Sequence, residues 1–495
     1  MRGSHPQVSA MKRELAIPGI LLVFVAGCGG LETPSTGGGT ARPPRSPHTA
    51  MAGHAGRAVS AADINYHGWK ALQLSNGIMT VVVVPDIGAR VMEYKLKAHP
   101  FLWVNPAEFG KLYEPPKTEK EREWHNYGGY KAWPAPQTDW HGPPDPLGST
   151  LDGGRWKGEI AGREGETASL RLVSPADEQV TGLQITRQLT LHSGTTRLTV
   201  QETFKNVSDQ PRTWSIWDVT QVPGSLAQGL KSSPEARVYF PLNPASKFGK
   251  GFYEIAEGGA AQWLPAAAPG LMGVTYQHQT GKIGADSQAG WVTYVDEKHD
   301  YTYAKRFRAE RTGNYPDKGC TVEVYTSGGL SYMEVEVLSP LTTLKPGDSF
   351  SFTTDWYATH CGGPTLDCTS VGLTQKPLDL GQAQGRQVLT GAFGVFLPGT
   401  LEIIFQDDAG KELSTAASLQ VDPDKLVELK QPVSVPKGAT RVALQVVNQA
   451  GTPVGLLAQA DVAPGGGAIV RSRAVAPVGA EARTPPSTRN SPGQP

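Results

Sequence analysis

A segment able to cross a bilayer is the first thing this sequence lacks. Its N-terminal apolar run, Leu15 to Ala26, is shorter than the roughly 20 residues a membrane span needs, and no second run is apolar enough. Charge of one sign is missing too. The 46 basic side chains balance 46 acidic ones, and no basic stretch is long. Proteins that grip a phosphate backbone concentrate Lys and Arg, so nucleic acid is excluded as a partner. Cysteine is scarce: four occur in 495 residues, and none forms a Cys-x-x-Cys pair, which argues against a zinc ribbon or a thioredoxin-like site. No Gly-x-Ser-x-Gly elbow is present. The glycine-rich stretches lie near the two ends and hold no nucleotide motif. His125, Asp139, His141 and Asp145 lie close in sequence, but on a Pro-rich stretch without ligand spacing, so neither a metal nor a cofactor is expected.

What is present begins with an address. Met11-Lys12-Arg13 is basic, the apolar run follows, and Val25-Ala26-Gly27-Cys28 closes it with small residues before a cysteine. That order is an export signal. Its ending resembles the bacterial lipobox, in which the cysteine is acylated and becomes the new N-terminus. The resemblance implies a signal peptide over residues 1–28, a lipid on Cys28 and a membrane-anchored cell-envelope protein. Gly29, rather than Asp, follows the cysteine, which by lipoprotein sorting rules implies the outer membrane in a Gram-negative host. The basic residues make Met11 the expected start, with residues 1–10 a gene-start error or a tag scar.

Gly (58) and Pro (40) are abundant, and Trp (11) and Tyr (15) are well represented. Few windows show helical periodicity. Short β-branched runs alternate with turn signals instead, as at Asn76-Gly77 and Ser193-Gly194. An all-β fold follows, with this organisation: a tether over 29–62, a large β-sandwich over 63–368, a linker over 369–385, a small β-sandwich over 386–463 and a disordered tail over 464–495. The block from Pro106 to Arg155 is dense in aromatics, Pro, Gly and His, and reads as long functional loops with one short helix near 118–124. With Cys28 lipidated, three cysteines remain. Cys361 and Cys368 flank Gly362-Gly363-Pro364 and are the favoured disulfide pair, with Cys320–Cys361 the rival.

The hairpin Leu74-Ser-Asn-Gly77 to Val84-Pro-Asp-Ile-Gly-Ala-Arg90 resembles the first strands of the galactose mutarotase-like (aldose 1-epimerase) superfamily. Ile185 to Leu191, Arg197 to Val200, Phe204-Lys-Asn-Val-Ser208 and Tyr332 to Pro340 resemble its later strands. Asn126-Tyr-Gly-Gly-Tyr-Lys-Ala-Trp-Pro-Ala-Pro-Gln137 is similar to a block of an uncharacterised bacterial family within it, which usually has an acidic residue where Tyr130 stands. The resemblance spans residues 65–358 and implies an antiparallel β-supersandwich with a cleft at one face. It also implies a glutamate base on a late strand and a histidine acid.

A sugar site needs flat rings to stack on C–H faces and polar groups for hydroxyls. Trp124, Tyr127, Trp133, Trp140 and Trp156 supply rings, and His125, Asn126, Lys131, Gln137, Asp139, His141 and Asp145 supply polar groups. Arg90, Asn126, Lys131, Trp133, Gln137 and Trp140 are the expected ligand-binding residues. Lys131 and Trp133 are expected on a rigid loop entering the cleft, with Trp133 outside the core. Glu334 and Glu336 lie two apart on a predicted strand and therefore share a face, with Met333, Val335 and Val337 on the other. They are the candidate bases, with Glu323 a third. Where the superfamily has its histidine this chain offers Asp218, so His125 is the candidate acid and His141 the next. The favoured reading is a lipid-anchored carbohydrate-binding protein. The alternatives are a sugar-active enzyme, either an epimerase or a lyase using Lys131, Arg90 or Arg306 on a uronate, and a structural envelope lipoprotein.

Overall fold

A computed structural model describes residues 59–225, 233–463 and 467–473. The signal segment, Cys28 and the tether up to residue 58 lie outside the described residues, as do residues 474–495 of the expected tail. The first strand, Ser60–Tyr66, begins inside the stretch assigned to the tether.

Two large antiparallel sheets face each other. The first runs in the order 60–66, 69–75, 79–84, 90–96, 130–135, 212–223, 332–338, 322–326, 281–285 and 253–256, with two short strands added at its margins. The second runs 263–268, 271–276, 233–241, 291–296, 301–307, 349–360, 198–206, 183–192, 167–173 and 157–164. Period-two burial explains why these segments are strands. Leu183–His192 alternates buried positions with half-buried or exposed ones, and its inward side chains join those of the first sheet in one core. The expected supersandwich is therefore the fold.

Charged groups cross this core in pairs. Arg187 and Glu202 are joined by Tyr130, whose hydroxyl donates to Glu202 at 2.9 Å. Lys305 donates to Asp218 and to the Val335 carbonyl, and Thr354 completes the set. Asp218 thus points between the sheets and is bound there, which corrects its candidacy as a catalytic residue.

The segment expected as a linker is structured. Gly372–Ala383 is a strand that pairs with Arg386–Val395. Leu378 and Leu380 are buried, and Pro377 falls at an irregularity of the pairing, where a strand proline is tolerated. That proline and the flanking glycines give the segment its linker-like composition. Four strands (367–368, 372–383, 386–395, 427–433) and five strands (412–421, 399–406, 441–448, 453–463, 467–473) make a second sandwich with its own core. Gly467–Arg473, assigned to the tail, is its last strand.

The second sandwich is docked on the first. Phe396 stacks on Tyr357 with ring centroids 4.5 Å apart, and its carbonyl accepts from Thr196 N at 2.8 Å. Pro423 accepts from His360 N, and Asp424 binds both Lys97 and Tyr301. Cys361 and Cys368 lie in the apolar layer between the two sandwiches. They are buried free thiols, as is Cys320. Cys361 packs against Gly394, and each thiol faces the carbonyl of its own neighbouring residue, so the expected bridge does not form.

Candidate functional site

The site lies on the outer face of the first sheet. Cross-strand register sets its residues side by side. Trp217 stands opposite Trp133, Val219 opposite Lys131, Gln221 opposite Glu334, and Val219 again opposite Glu336. Glu336 faces Glu323, Glu334 faces Tyr325, and Tyr325 faces Lys282 on the next strand. Residues two apart share a face, so these side chains form one patch, while Met333, Val335 and Val337 turn into the core. The strand alternation read from the sequence around Glu334 and Glu336 holds.

Lys131 and Trp133 sit on the strand Tyr130–Ala135 in the middle of the sheet, which corrects the loop expected there. Gly128 and Gly129 bring the chain into it at positive φ. A Cβ would lie 2.5 Å from Trp103 O at Gly128 and 2.4 Å from Val91 O at Gly129. Pro134 is tolerated because the strand pairs continuously only with 212–223 and meets 90–96 at Tyr130 alone.

Above this patch opens a cleft of about 520 Å³. It is lined by Trp124, Trp133 and Trp217, by Tyr325 and Tyr332, and by Gln137, Lys282, Asp317 and Glu334 among others. Each of the three tryptophans spends its indole N–H on a carboxylate. Trp133 and Trp124 donate to the two oxygens of Asp152 at 2.8 and 3.2 Å, and Trp217 donates to Glu336 at 2.6 Å. Asp152 is itself held by Arg90 at 2.5 Å and is backed by Asp145, which accepts from the Asp152 and Gly153 N–H groups. The rings therefore offer the cleft π surface rather than N–H groups.

Two ion clusters form the floor. Lys131 binds Glu334 at 2.8 Å, with Gln221 donating to the same oxygen at 2.9 Å. Lys282 binds Glu323 at 2.6 Å and Glu336 at 2.9 Å. Both ammoniums also lie over indole rings, Lys131 over Trp133 at 4.3 Å and Lys282 over Trp217 at 4.2 Å. Glu323 and Glu336 are fully buried, and the Oε1 of each has no hydrogen-bond partner among the described residues. Burial pushes both carboxyls above the usual range against the pull of Lys282, Glu323 most strongly. Lys282 is held above the ordinary lysine range because the two glutamates outweigh its own desolvation.

The sequence-derived residues divide accordingly. Trp133, Gln137 and Glu334 line the cleft, with Lys131 directly beneath. Glu336 lies under Lys282 and Trp217 and does not reach the cleft wall, a correction to its proposed contact with ligand. Trp140 is fully buried against Trp133, and Arg90 is fully buried on Asp152 and the Gly128 carbonyl, so neither is available to a ligand. Asn126 is buried and caps Gly128 N. His125 stacks on Tyr113 with centroids 3.4 Å apart, and no histidine is among the residues lining the cleft. His141 is exposed, and Arg306 belongs to the second sheet, opposite Trp291 and Asp355. Of the other rings, Tyr127 packs on Trp69 and Trp156 lies beneath Arg187. Sequence reasoning missed Lys282, Trp217, Tyr325, Tyr332, Asp317 and Asp152. A lysine or an aspartate on a short strand or turn carries no local signal; for Tyr325 and Tyr332, the alternation that placed Glu334 applied equally.

Several solved structures are similar to the chain. The Slr1438 protein of Synechocystis sp. PCC 6803 is 13% identical, with 60% of this chain and 99% of that one covered and a TM-score of 0.38. A galactose mutarotase-like protein from Clostridium acetobutylicum is 12% identical, covering 61% and 99%, with a TM-score of 0.40. Another galactose mutarotase-like protein, from Lactobacillus casei ATCC 334, is 12% identical, covering 58% and 99%, also at 0.40. No curated protein matches the sequence. The family model described as Domain of unknown function (DUF4380) matches residues 69–359, more than half of the chain and every residue lining the cleft, and the chain belongs to that family.

Proposed function

We propose that the cleft binds carbohydrate. The observation that carries this reading is the aromatic wall of Trp124, Trp133 and Trp217, whose N–H groups are all engaged and whose faces stand over a charged, hydrogen-bonding floor. Stacking surface beside fixed polar groups is what a sugar ring needs. Trp124 is the least buried of the three and tests the reading without dismantling the core. On a glycan array, the full chain should bind a defined set of saccharides. Trp124→Ala should weaken that binding by about tenfold, equivalent to about 1.4 kcal/mol. An array on which the full chain binds no glycan rejects the reading.

A sugar-active enzyme is the second reading. Glu334 reaches the cleft as a base and Lys282 as a proton-bearing group, although the lining has no histidine. Lipid anchoring through Cys28 belongs to the same proposal: the lipobox-like ending supports it, and Cys28→Ala should release the protein from membranes. Unchanged detergent-requiring association of that variant would reject the anchor.

A further inference from the structure

The cleft has committed its cations and its indole donors, and this restricts what can bind. Lys131 is neutralised by Glu334, and Lys282 is divided between Glu323, Glu336 and the Trp217 ring. The three indole N–H groups end on carboxylates, and Gln137 Nε2 donates to the Gly142 carbonyl. No arginine is among the lining residues. The nearby lysines 247 and 318 lie outside the lining, over the Phe248 and Tyr253 rings.

Acceptors, in contrast, are left over. Glu334 receives Lys131 and Gln221 on Oε1, and its Oε2 has no partner among the described residues. Asp317 lines the cleft with a carboxylate that makes no ion pair or side-chain hydrogen bond among the described residues. A tight turn presents it, closed by Gly319 N to Pro316 O at 2.7 Å, with φ of +47° at Asp317 and +60° at Lys318. Two non-glycine residues held in the left-handed region are uncommon, and such strain collects at functional sites.

We propose that the cleft selects a saccharide rich in hydrogen-bond donors and free of anionic groups, and that an amino sugar is its preferred ligand, with the ammonium on Asp317. The proposal rests on the carbohydrate reading above and specifies its ligand class. A carboxylate, phosphate or sulfate group on a sugar offers only acceptors to a cleft whose lysines are already neutralised, and it would meet the charge of Asp317 and Glu334.

Calorimetry on the full chain with three probes tests this: a glucosamine tetrasaccharide, cellotetraose and tetragalacturonate, at a pH where the amines are charged. The glucosamine oligomer should bind about fivefold more tightly than cellotetraose, the scale of one solvent-facing ion pair. Tetragalacturonate should bind most weakly. In Asp317→Asn the ratio between the first two should fall to near one. Asn tolerates positive φ as Asp does, so the turn is kept. High salt should likewise erase the ratio. Tetragalacturonate binding as tightly as cellotetraose, or an amine preference that survives Asp317→Asn, overturns the proposal and leaves the carbohydrate reading intact. Failure of all three probes, together with a blank glycan array, removes both.

Discussion

Glu323 and Glu336 stand directly opposite each other on neighbouring antiparallel strands, and the ammonium of Lys282 reaches both carboxylates. One cation thus serves two fully buried acids. Lys282 is the piece that reaches the cleft, so the two glutamates act on a ligand only through it.

Removing the cation should be far worse than removing an acid. Lys282→Met leaves two buried carboxyls without a counter-charge and should cost about 3–5 kcal/mol of unfolding free energy. Glu323→Gln should cost little. The sign of the pH dependence follows from the raised carboxyls. A group whose folded pKa lies above its unfolded value contributes fully below the unfolded carboxylate range, near pH 4, and loses that contribution as pH rises toward the folded value. The wild-type chain should therefore lose stability from about pH 4 upward through this cluster, and Glu323→Gln should show a shallower decline. The Lys282 contribution remains intact until pH passes the ordinary lysine range. Urea midpoints across a pH series separate the variants, and a Lys282→Met chain as stable as wild type would contradict the assignment.

Trp133 is both a wall of the cleft and a member of the core, 4% exposed and packed against Trp140 and Trp217. Trp133→Ala should cost about 3–5 kcal/mol and lower the melting temperature steeply. This reverses the sequence-based expectation that the ring stands free of the core. Trp133→Phe keeps most of the ring volume and removes one of the two donors to Asp152 Oδ1, which Arg90 still holds, so it should cost less. Parallel melting curves check both.

The cysteines should behave as inert thiols. Burial pushes Cys361 and Cys368 up to about 12, and Cys320 is raised as well. A thiol reagent at pH 8 should leave all three unmodified in the native protein and label all three in denaturant. Detection of a Cys361–Cys368 cross-link by mass spectrometry would refute this.

The two sandwiches should melt together. Phe396 is fully buried against Tyr357 in the layer between them. Phe396→Ala should cost about 3–5 kcal/mol and split a single calorimetric transition into two. Limited proteolysis should spare residues 372–383, because they are a paired strand. Cleavage there in the native chain would argue for the linker.

Strand alternation made the shared face of Glu334 and Glu336 legible, since period two is a local property. The partners that define the site come from elsewhere. Lys282 lies on Gly281–Ala285, five residues with no distinctive pattern, and reaches the glutamates through two strand pairings that the sequence does not announce. Tyr130–Ala135 was hidden for a different reason. It is buried on both faces and carries a proline, so it shows neither alternation nor a clean β-branched run. Burial of Arg90, Trp140 and Asp218 was likewise invisible, because residue type alone does not tell a ligand-facing polar group from one paired inside a core.

Trp217 has its indole N–H fixed on the Glu336 carboxylate and its ring face under the Lys282 ammonium. A negative charge at one edge and a positive charge above the face place the chromophore in a strong, oriented local field. Anything that enters the cleft and draws Lys282 aside alters that field directly. Occupancy of the cleft that moves Lys282 should therefore be readable without any label, as a shift in tryptophan emission that Trp217→Phe removes.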